Sequence, residues 1–557
     1  MRKIILLMAV TLSMISCEMD YLPNDKLTPE QMEKDPSSAE YVTEGNYSMF
    51  KNQMEYQNET YSGNTYVRHY FQMSEFIGDN VCLAGRTSDP LYEALTYKRA
   101  ANLYNINYLW WCSYKIINGA SSVIESVQEG ASVETDHLKG ENYFIRAIVN
   151  FHLSTLWSKH YSQGRDNIGI VIRKSSSDTE TKRATVGEAY DLVVSDLENA
   201  IRLMSQGKRR GNAGYISKEA AQGLLSRVYL YMGENEKVIS VVNEMLAGNT
   251  PDSKLEPSSS FPNYFAKALS SVETLWAVAH TNLESRGASS IGSMYFTAPG
   301  PTGGGWGEIY ASDPLLDLYE RNKNDLRYGF ISPKTISKTN YMIRWAIPTD
   351  DDFYQNELRD VTFDAGANKY YFMDESSQIY VEKEKVNGYE QNYINFKGEK
   401  LRVRLSLKME NRYGWPKYFV TKFSYQDGDP MLSSPVMLRW GEVILNRAEA
   451  YAKTNNTAKA LDDVNTIRKR AGLSGNQLFS TTNMQGYSNV LDVVLDERRL
   501  ELAFEGHRAF DIYRNKLSLD RRYSGVQPWE VVEYSDNRLQ YLIPLDEITT
   551  SGIPQNP

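Results

Sequence analysis

Two stretches of this chain repeat one another without a gap. Gly223–Val242 (GLLSRVYLYMGENEKVISVV) aligns on Val443–Asp462 (VILNRAEAYAKTNNTAKALD), at an offset of 443 − 223 = 220. Leu225, Arg227, Tyr231 and Asn235 meet Leu445, Arg447, Tyr451 and Asn455, and Phe144-Ile145-Arg146-Ala147 echoes both copies. Helix, polar turn, helix, in a unit of roughly 34 residues, is the tetratricopeptide signature. The expected fold is therefore mostly α, a tetratricopeptide-like helix-pair scaffold. The copies are diverged and separated, so a regular solenoid array is not expected.

The last copy is the clearest. Trp440, Ile444, Ala448 and Tyr451 form the apolar face of its first helix, Thr454–Thr457 the turn, and Ala460, Leu461, Val464, Ile467 and Ala471 the face of the second. Arg468, Lys469 and Arg470 complement the C-terminal dipole, and Gly472 is placed to stop the helix. Thr185 and Glu188 form a capping box, followed by the stripe Val193, Leu197, Ala200, Ile201 and Met204. Ser217 opens a helix that ends near Gly233, and Lys237–Ala247 is its return. Tyr41–Met54 reads as a first helix, and Tyr56–Lys98 as an irregular aromatic loop region. From Asn249 to Ser434 the helical periodicity fades. Leu275–Val278 resembles a short strand there, and Tyr341–Trp345 and Lys417–Phe423 are candidates to pair. The division is an N-terminal helical region (41–248), a long irregular and partly β insertion (249–434), and a C-terminal helical region (435–557).

The first residues are not expected to belong to the fold. Arg2 and Lys3 precede the apolar run Ile4–Leu12, which is too short to span a bilayer as a mature helix. Met14-Ile15-Ser16-Cys17 resembles a bacterial lipobox, which makes 1–16 a lipoprotein signal peptide and Cys17 the lipidated residue. The polar stretch 17–40 then reads as a tether. Cys82 and Cys112 could form one bridge but no disulfide framework. The net charge of −9 argues against nucleic acid as a partner.

Leu495–Arg514 (LDERRLELAFEGHRAFDIYR) is dense in charge within an apolar helical pattern. Glu497, Glu501 and Glu505 recur every four residues, and Arg498, Arg508, Asp511 and Arg514 fall three or four residues from an opposite charge. Paired carboxylates could serve acid–base chemistry, but arginines beside them lower their pKa, which is wrong for a general acid. The stretch reads as a partly buried structural ion-pair helix, with Gly506 easing a bend. The six histidines are too scattered for a metal site by spacing, and the chain lacks the metalloprotease, phosphate-loop and nucleophile-elbow motifs. No cofactor is expected. The run Gly303–Gly307, carrying Trp306, reads equally as a plain flexible loop or as one that contacts a ligand.

Together these residues resemble a known family. They are Cys17 with Asp20-Tyr21-Leu22, Arg146-Ala147, Asp325-Leu326-Arg327, and the helix pair Leu438–Gly472. The series Glu497–Leu502, Glu505-Gly506-His507-Arg508 and Asp511–Arg514 follows, then Ile543-Pro544 and the ending Gln555-Asn556-Pro557. The chain resembles the SusD/RagB family of outer-membrane lipoproteins over essentially its whole length. The resemblance implies a non-catalytic, lipid-anchored protein at the cell surface, lying over a SusC-like TonB-dependent β-barrel and binding a glycan or another nutrient. It implies a SusD-like α-α superhelix whose less regular half carries the ligand site, where aromatic rings stack on sugars. On that basis Trp306, Tyr310, Tyr295, Arg86, Tyr92, Tyr66 and Tyr70 are the expected ligand contacts. Glu497, Arg498, Glu501, Glu505, Arg508, Asp511 and Arg447 are expected to be structural. A surface glycan-degrading enzyme and a protein-binding adaptor are the alternatives from other classes.

Overall fold

The structure is a computed structural model that describes residues 36–557 apart from 61–62, 86–90, 302–303, 351–352 and 387–388. Cys17, the expected signal peptide and Arg86 lie outside the described residues. Helices α1 (Pro36–Met49), α2 (Tyr66–Glu75), α3 (Tyr104–Ser126), α4 (Val133–Trp157), α5 (Val186–Leu203), α6 (Lys218–Met232) and α7 (Asn235–Leu246) build the N-terminal part. Helix α8 (Asp313–Glu320) stands within the insertion, and α9 (Trp440–Lys453), α10 (Thr457–Arg470), α11 (Val490–Glu501) and α12 (Arg508–Arg514) follow it.

The local signals act as read. The Thr185 hydroxyl accepts the Glu188 N–H, and Glu188 accepts the Thr185 N–H, at the start of α5. Val193, Leu197 and Ala200 are fully buried, as are Ile444, Ala448, Ala460 and Val464 in the last pair. Burying a Val or Leu side chain stabilises by about 1.5–3 kcal/mol, so these stripes hold the helix layers together.

The repeat is also a contact. Asn446 of α9 donates to the Ser226 hydroxyl of α6 at 3.0 Å. A Cβ placed on Gly223 would meet Val443 at 3.4 Å. Both pairs are 220 residues apart, so the two first helices cross at equivalent positions. The repeat arginines pair with carboxylates: Arg146 with Asp196 (2.7 and 2.8 Å) and Arg447 with Asp463 (2.7 and 2.9 Å), each on the partner helix. Arg227 departs from this, binding Glu442 of α9 through two bonds of 2.6 Å. Its own partner helix carries Asn243 where the later copy has Asp463, and Asn243 instead accepts from Arg447 at 2.7 Å.

The insertion is more ordered than its composition suggests. After β1 (Val81–Leu83), β2 (Thr274–Ala277), β3 (Ile309–Ala311) and β4 (Ile331–Pro333) come seven strands of one antiparallel sheet. They are β5 (Tyr341–Pro348), β6 (Tyr354–Asp364), β7 (Lys369–Asp374), β8 (Ser377–Tyr380), β9 (Glu382–Val386), β10 (Tyr389–Phe396) and β11 (Glu399–Leu407), in the order β8-β7-β6-β5-β11-β10-β9. Ile343, Trp345, Phe372, Val381, Ile394 and Val403 make a small core of its own. Strands β12 (Tyr418–Val420) and β13 (Val436–Arg439) close the insertion.

Two expectations are corrected, and the pairing of Cys82 with Cys112, left open by the sequence, is answered. Tyr341–Trp345 does not pair with the strand near Lys417–Phe423. It pairs with β6 and β11, while β12 pairs with β4, because Ile343 and Trp345 belong to the sheet's own core and β12 to the main one. Tyr56–Lys98 is not all loop: Thr65 caps α2 by accepting the Arg68 N–H. Cys82 and Cys112 are both buried and unbridged.

Candidate functional site around Trp306

Strands β1 and β3 pair antiparallel, with Cys82 opposite Tyr310 and Leu83 opposite Ile309. This ladder joins the Tyr56–Lys98 region to the segment that carries Trp306 and Tyr310. Ala84 extends it by donating to the Glu308 carbonyl at 3.1 Å. The residues just beyond the ladder are Gly85 on one side and Gly307, preceded by Trp306, on the other.

The backbone at Trp306, Gly307 and Glu308 is held by hydrogen bonds. The Trp306 and Gly307 N–H groups both donate to the Ser293 carbonyl, at 2.6 and 2.9 Å, and the Glu308 N–H donates to Met294 at 2.9 Å. Side chains are excluded on both sides of the tryptophan. A Cβ on Gly305 would lie 2.1 Å from the Phe296 carbonyl oxygen, and Gly307 has φ +53° with a Cβ position 2.8 Å from Phe419. The indole N–H donates to the Ala288 carbonyl at 3.0 Å, yet the residue is 60% exposed. The ring is thus oriented by its own hydrogen bond and presented to solvent.

Polar and aromatic side chains stand on the segments packed next to this loop. Arg412 binds Glu308 at 2.6 Å and reaches the Trp306 carbonyl at 3.4 Å. The next residue, Tyr413, is 73% exposed, and Gly85 packs beside its ring. Tyr413 and Gly414 are the two turn residues between Asn411–Arg412 and Trp415–Pro416, with φ 51° and 88°, the pattern of a type I′ hairpin. Tyr425, 44% exposed and also left-handed at φ 69°, packs on Phe296 with ring centroids 5.4 Å apart. Left-handed backbone at a non-glycine residue costs about 1–2 kcal/mol. Such strain collects at functional positions.

Four of the expected contacts lie elsewhere. Tyr66 and Tyr70 sit one turn apart on α2 and point into the core: Tyr66 is hydrogen-bonded to His152 at 2.8 Å, and Tyr70 stacks on that imidazole at 3.7 Å. Tyr295 is enclosed by Phe76, Phe423 and Phe504, and Tyr310 packs on Phe419. A ring with no exposed face cannot stack on a ligand, so these four are core residues. Tyr92 is half-buried with the Lys98 ammonium 5.3 Å from its ring. Arg412, Tyr413 and Tyr425 were not anticipated. The Asn-Arg-Tyr-Gly turn and the Tyr before Gln-Asp-Gly were the available signals.

The charged C-terminal stretch is a largely buried ion-pair network. It is not one helix: α11 ends at Glu501, Phe504 and Gly506 take left-handed backbone (φ 70° and 78°), and α12 begins at Arg508. Most of its charges are buried, namely Glu497, Arg498, Glu501, Glu505, Asp511 and Arg514, while Asp496 and Arg508 keep some exposure. Glu497 binds Arg327 (2.7 Å) and Arg468 (2.8 Å), Glu501 binds Arg327, Arg439 and Arg470, and Glu505 binds Arg439 and Lys422. Arg498 binds Asp511 at 2.8 Å, and Arg508 binds Asp79 at 2.9 Å. Burial alone would raise the Glu501 pKa, but Arg470, Arg439 and Arg327 hold its carboxyl well below the usual range. Glu505 is lowered too, against burial, by Arg439 and Lys422. Carboxylates held ionised and walled in by arginine are poorly suited to act as general acids.

Comparison with known proteins agrees with this architecture. A SusD superfamily protein from Bacteroides thetaiotaomicron superposes with TM-score 0.68 at 23% identity, over 94% of this chain and 99% of that one. A laminarin-binding SusD-like protein gives TM-score 0.59 at 18% identity, over 94% and 99%. A SusD-like protein of Formosa agariphila is 23% identical over 468 residues, 81% of this chain and 80% of its own length. Residues 20–230 match a family described as starch-binding and associating with the outer membrane. Among the described residues no helix is long and apolar enough to cross a membrane. Residues 272–550, just over half of the chain (550 − 272 + 1 = 279 of 557), match the SusD family, and the chain belongs to it.

Proposed function

We propose that this protein is a non-catalytic glycan-binding lipoprotein of the outer-membrane surface, anchored through Cys17, that hands its ligand to a SusC-like TonB-dependent barrel. The observation that carries the binding reading is Trp306. Its ring is oriented by the indole hydrogen bond to Ala288, backed by glycines that admit no side chain, and left open to solvent. An aromatic face of this kind offers an apolar platform with its polar edge satisfied, which suits the C–H face of a sugar ring. Tyr413 and Tyr425 add aromatic surface, and Arg412 with Glu308 adds hydrogen-bonding groups. The name of the laminarin-binding neighbour and the starch-binding family description support a saccharide over a peptide. The absence of catalysis is supported by the burial and arginine pairing of the carboxylate series.

The test is titration of the purified chain with soluble oligosaccharides, with product analysis of the same mixtures. Binding without turnover, weakened in Trp306→Ala, is the expected result; turnover would favour the glycan-degrading alternative. Co-purification with a barrel from the outer membrane tests the transport partnership, and a Cys17→Ser variant released from the membrane tests the anchor.

A further inference from the structure

A second cleft lies where the inserted sheet stands over α8. Two adjoining cavities of about 620 and 920 Å³ run between that helix and strands β10 and β11. Asp317, Glu320, Asn392 and Arg402 line both, so the cavities are lobes of one cleft. Ion pairs cross it: Arg402 meets Asp317 at 2.5 Å, and Arg404 binds Asp317 and also Glu320 at 2.6 Å. At one end the Trp529 indole lies on the Tyr354 ring with centroids 3.6 Å apart, and Tyr354 and Gly525 exchange backbone hydrogen bonds of 3.3 and 2.7 Å. Trp529 remains 37% exposed on the wall of the smaller lobe. Trp306, Arg412, Tyr413 and Tyr425 line neither lobe.

Polar atoms of the smaller lobe are left over. Arg344 is 4% exposed; its terminal nitrogens hold Asp313 and Asn356, while its Nε has no partner. Ser524, 5% exposed, has a hydroxyl with no partner. A buried donor without an acceptor is costly, and both atoms lie closed to solvent beneath the wall of the lobe. The lobe carries no excess charge: Arg344, Arg402, Arg404, Arg499, Arg508 and Arg522 are matched by an equal number of carboxylates along its walls. Nothing there favours an anion over a cation. The arginine–carboxylate forks offer donors and acceptors side by side at fixed spacing, which is the complement of vicinal hydroxyls. The open part of Trp529 offers an apolar platform next to them.

We propose that this cleft is a second saccharide site, separate from the Trp306 surface, which takes an uncharged oligosaccharide across both lobes with Trp529 as its stacking platform. The proposal rests on the glycan-binding reading for its ligand class and on independent residues for its place. The experiment is calorimetric titration of the full chain with maltohexaose and, separately, laminarihexaose. The variants are Trp306→Ala, Trp529→Ala, Asn392→Trp, and each cleft change combined with Trp306→Ala, with thermal unfolding of each recorded. Asn392→Trp narrows both lobes and leaves the Tyr354–Trp529 stack in place, so it reports on the cleft even if Trp529→Ala unfolds. The expected result is that Trp306→Ala keeps a binding event, which either cleft substitution weakens at least tenfold. Complete loss in Trp306→Ala alone overturns the second site and leaves the first standing. Residual binding indifferent to both cleft changes overturns it as well. Loss through the cleft variants alone, with Trp306→Ala unaffected, supports the cleft and removes the Trp306 assignment. No binding of either sugar by the unaltered chain overturns both.

Discussion

Arg439 holds both oxygens of Glu505, donating from Nε at 2.8 Å and from Nη2 at 2.9 Å, inside a fully buried network. The same guanidinium reaches Glu273 at 2.9 Å and Glu501, and Arg470 meets Glu273 at 3.0 Å. One side chain thereby ties β13 to the end of α11 and to the turn before α12. A buried ion pair gives little net stability over an apolar substitute, but removing one member strands the other and costs about 3–5 kcal/mol. Glu501→Ala should lower the unfolding free energy by about that amount in urea titration, while the folded fraction binds ligand as the unaltered chain does. A fully stable variant that cannot bind would reverse the structural assignment.

Acid should loosen the same network. Glu501, Glu505, Glu449 and Asp511 are all held below their ordinary pKa, with the arginines around them outweighing burial. Lowered folded-state pKa values contribute stability above the unfolded value and lose it as pH falls through the folded one. Unfolding midpoints measured from pH 6 downward should therefore drop steeply below about pH 4.5. A flat profile there would mean that the network does not bear on stability.

Glu75 should behave with the opposite sign. Burial pushes its carboxyl up to about 7, only partly offset by the Gly506 N–H (2.7 Å), the Asn80 amide (3.0 Å) and the Phe504 N–H (3.2 Å). A raised folded-state pKa contributes stability below the unfolded value of 4.5, and that contribution is lost as pH rises through about 7. At one pKa unit per 1.36 kcal/mol, the span from 4.5 to about 7 corresponds to at most about 3 kcal/mol. Glu75→Gln should leave stability near pH 5 little changed and raise it near pH 8. Parallel pH–stability curves for the two proteins would refute this.

What the sequence could tell follows from where the information sits. The repeat fixes helices locally, since Thr185, Ser217 and the apolar stripes act within a few residues of themselves, and the helix pairs appear where they were read. The partner of Arg227 was not legible, because it depends on Asn243 replacing a carboxylate on the neighbouring helix and on α6 meeting α9. The inserted sheet was hidden for a related reason: its order is set by pairings such as β5 with β11, far apart in the chain. The site was the least legible part. Tyr66 and Tyr413 are the same residue in similarly aromatic surroundings, and only the backbone, helical at one and left-handed at the other, sends one ring inward and the other to solvent.

That contrast is itself testable. Burial, with Arg227 and His507 nearby, holds His152 well below its usual pKa, so its Nδ1 can accept the Tyr66 hydroxyl. Tyr66→Ala removes a fully buried ring and should cost about 3–5 kcal/mol, the range for large aromatic deletions. Tyr66→Phe should cost only the hydrogen bond, about 1 kcal/mol. Neither should change the oligosaccharide affinity of the folded protein. A Tyr66→Phe variant of normal stability with weakened binding would return this residue to the ligand site.

Gly307→Ala probes how Trp306 is presented. The position has φ +53°, and a Cβ there would stand 2.8 Å from the Phe419 ring and 3.1 Å from Thr297. Phe419 is buried against Phe296 and Tyr310, so it has little room to yield. The backbone must shift instead, and with it the bonds from residues 306 and 307 to the Ser293 carbonyl. Left-handed backbone costs an alanine about 1–2 kcal/mol, a small part of the stability of a chain with this much core. The loss should therefore fall on binding. If Trp306 is a stacking anchor, moving it removes much of the affinity, because a few such residues carry most of an interface's energy. The expected outcome is at least a tenfold weaker oligosaccharide affinity with a thermal midpoint within a few degrees of the unaltered protein. Unchanged affinity in a variant whose Trp306 fluorescence shows a displaced ring would place the ligand away from this loop.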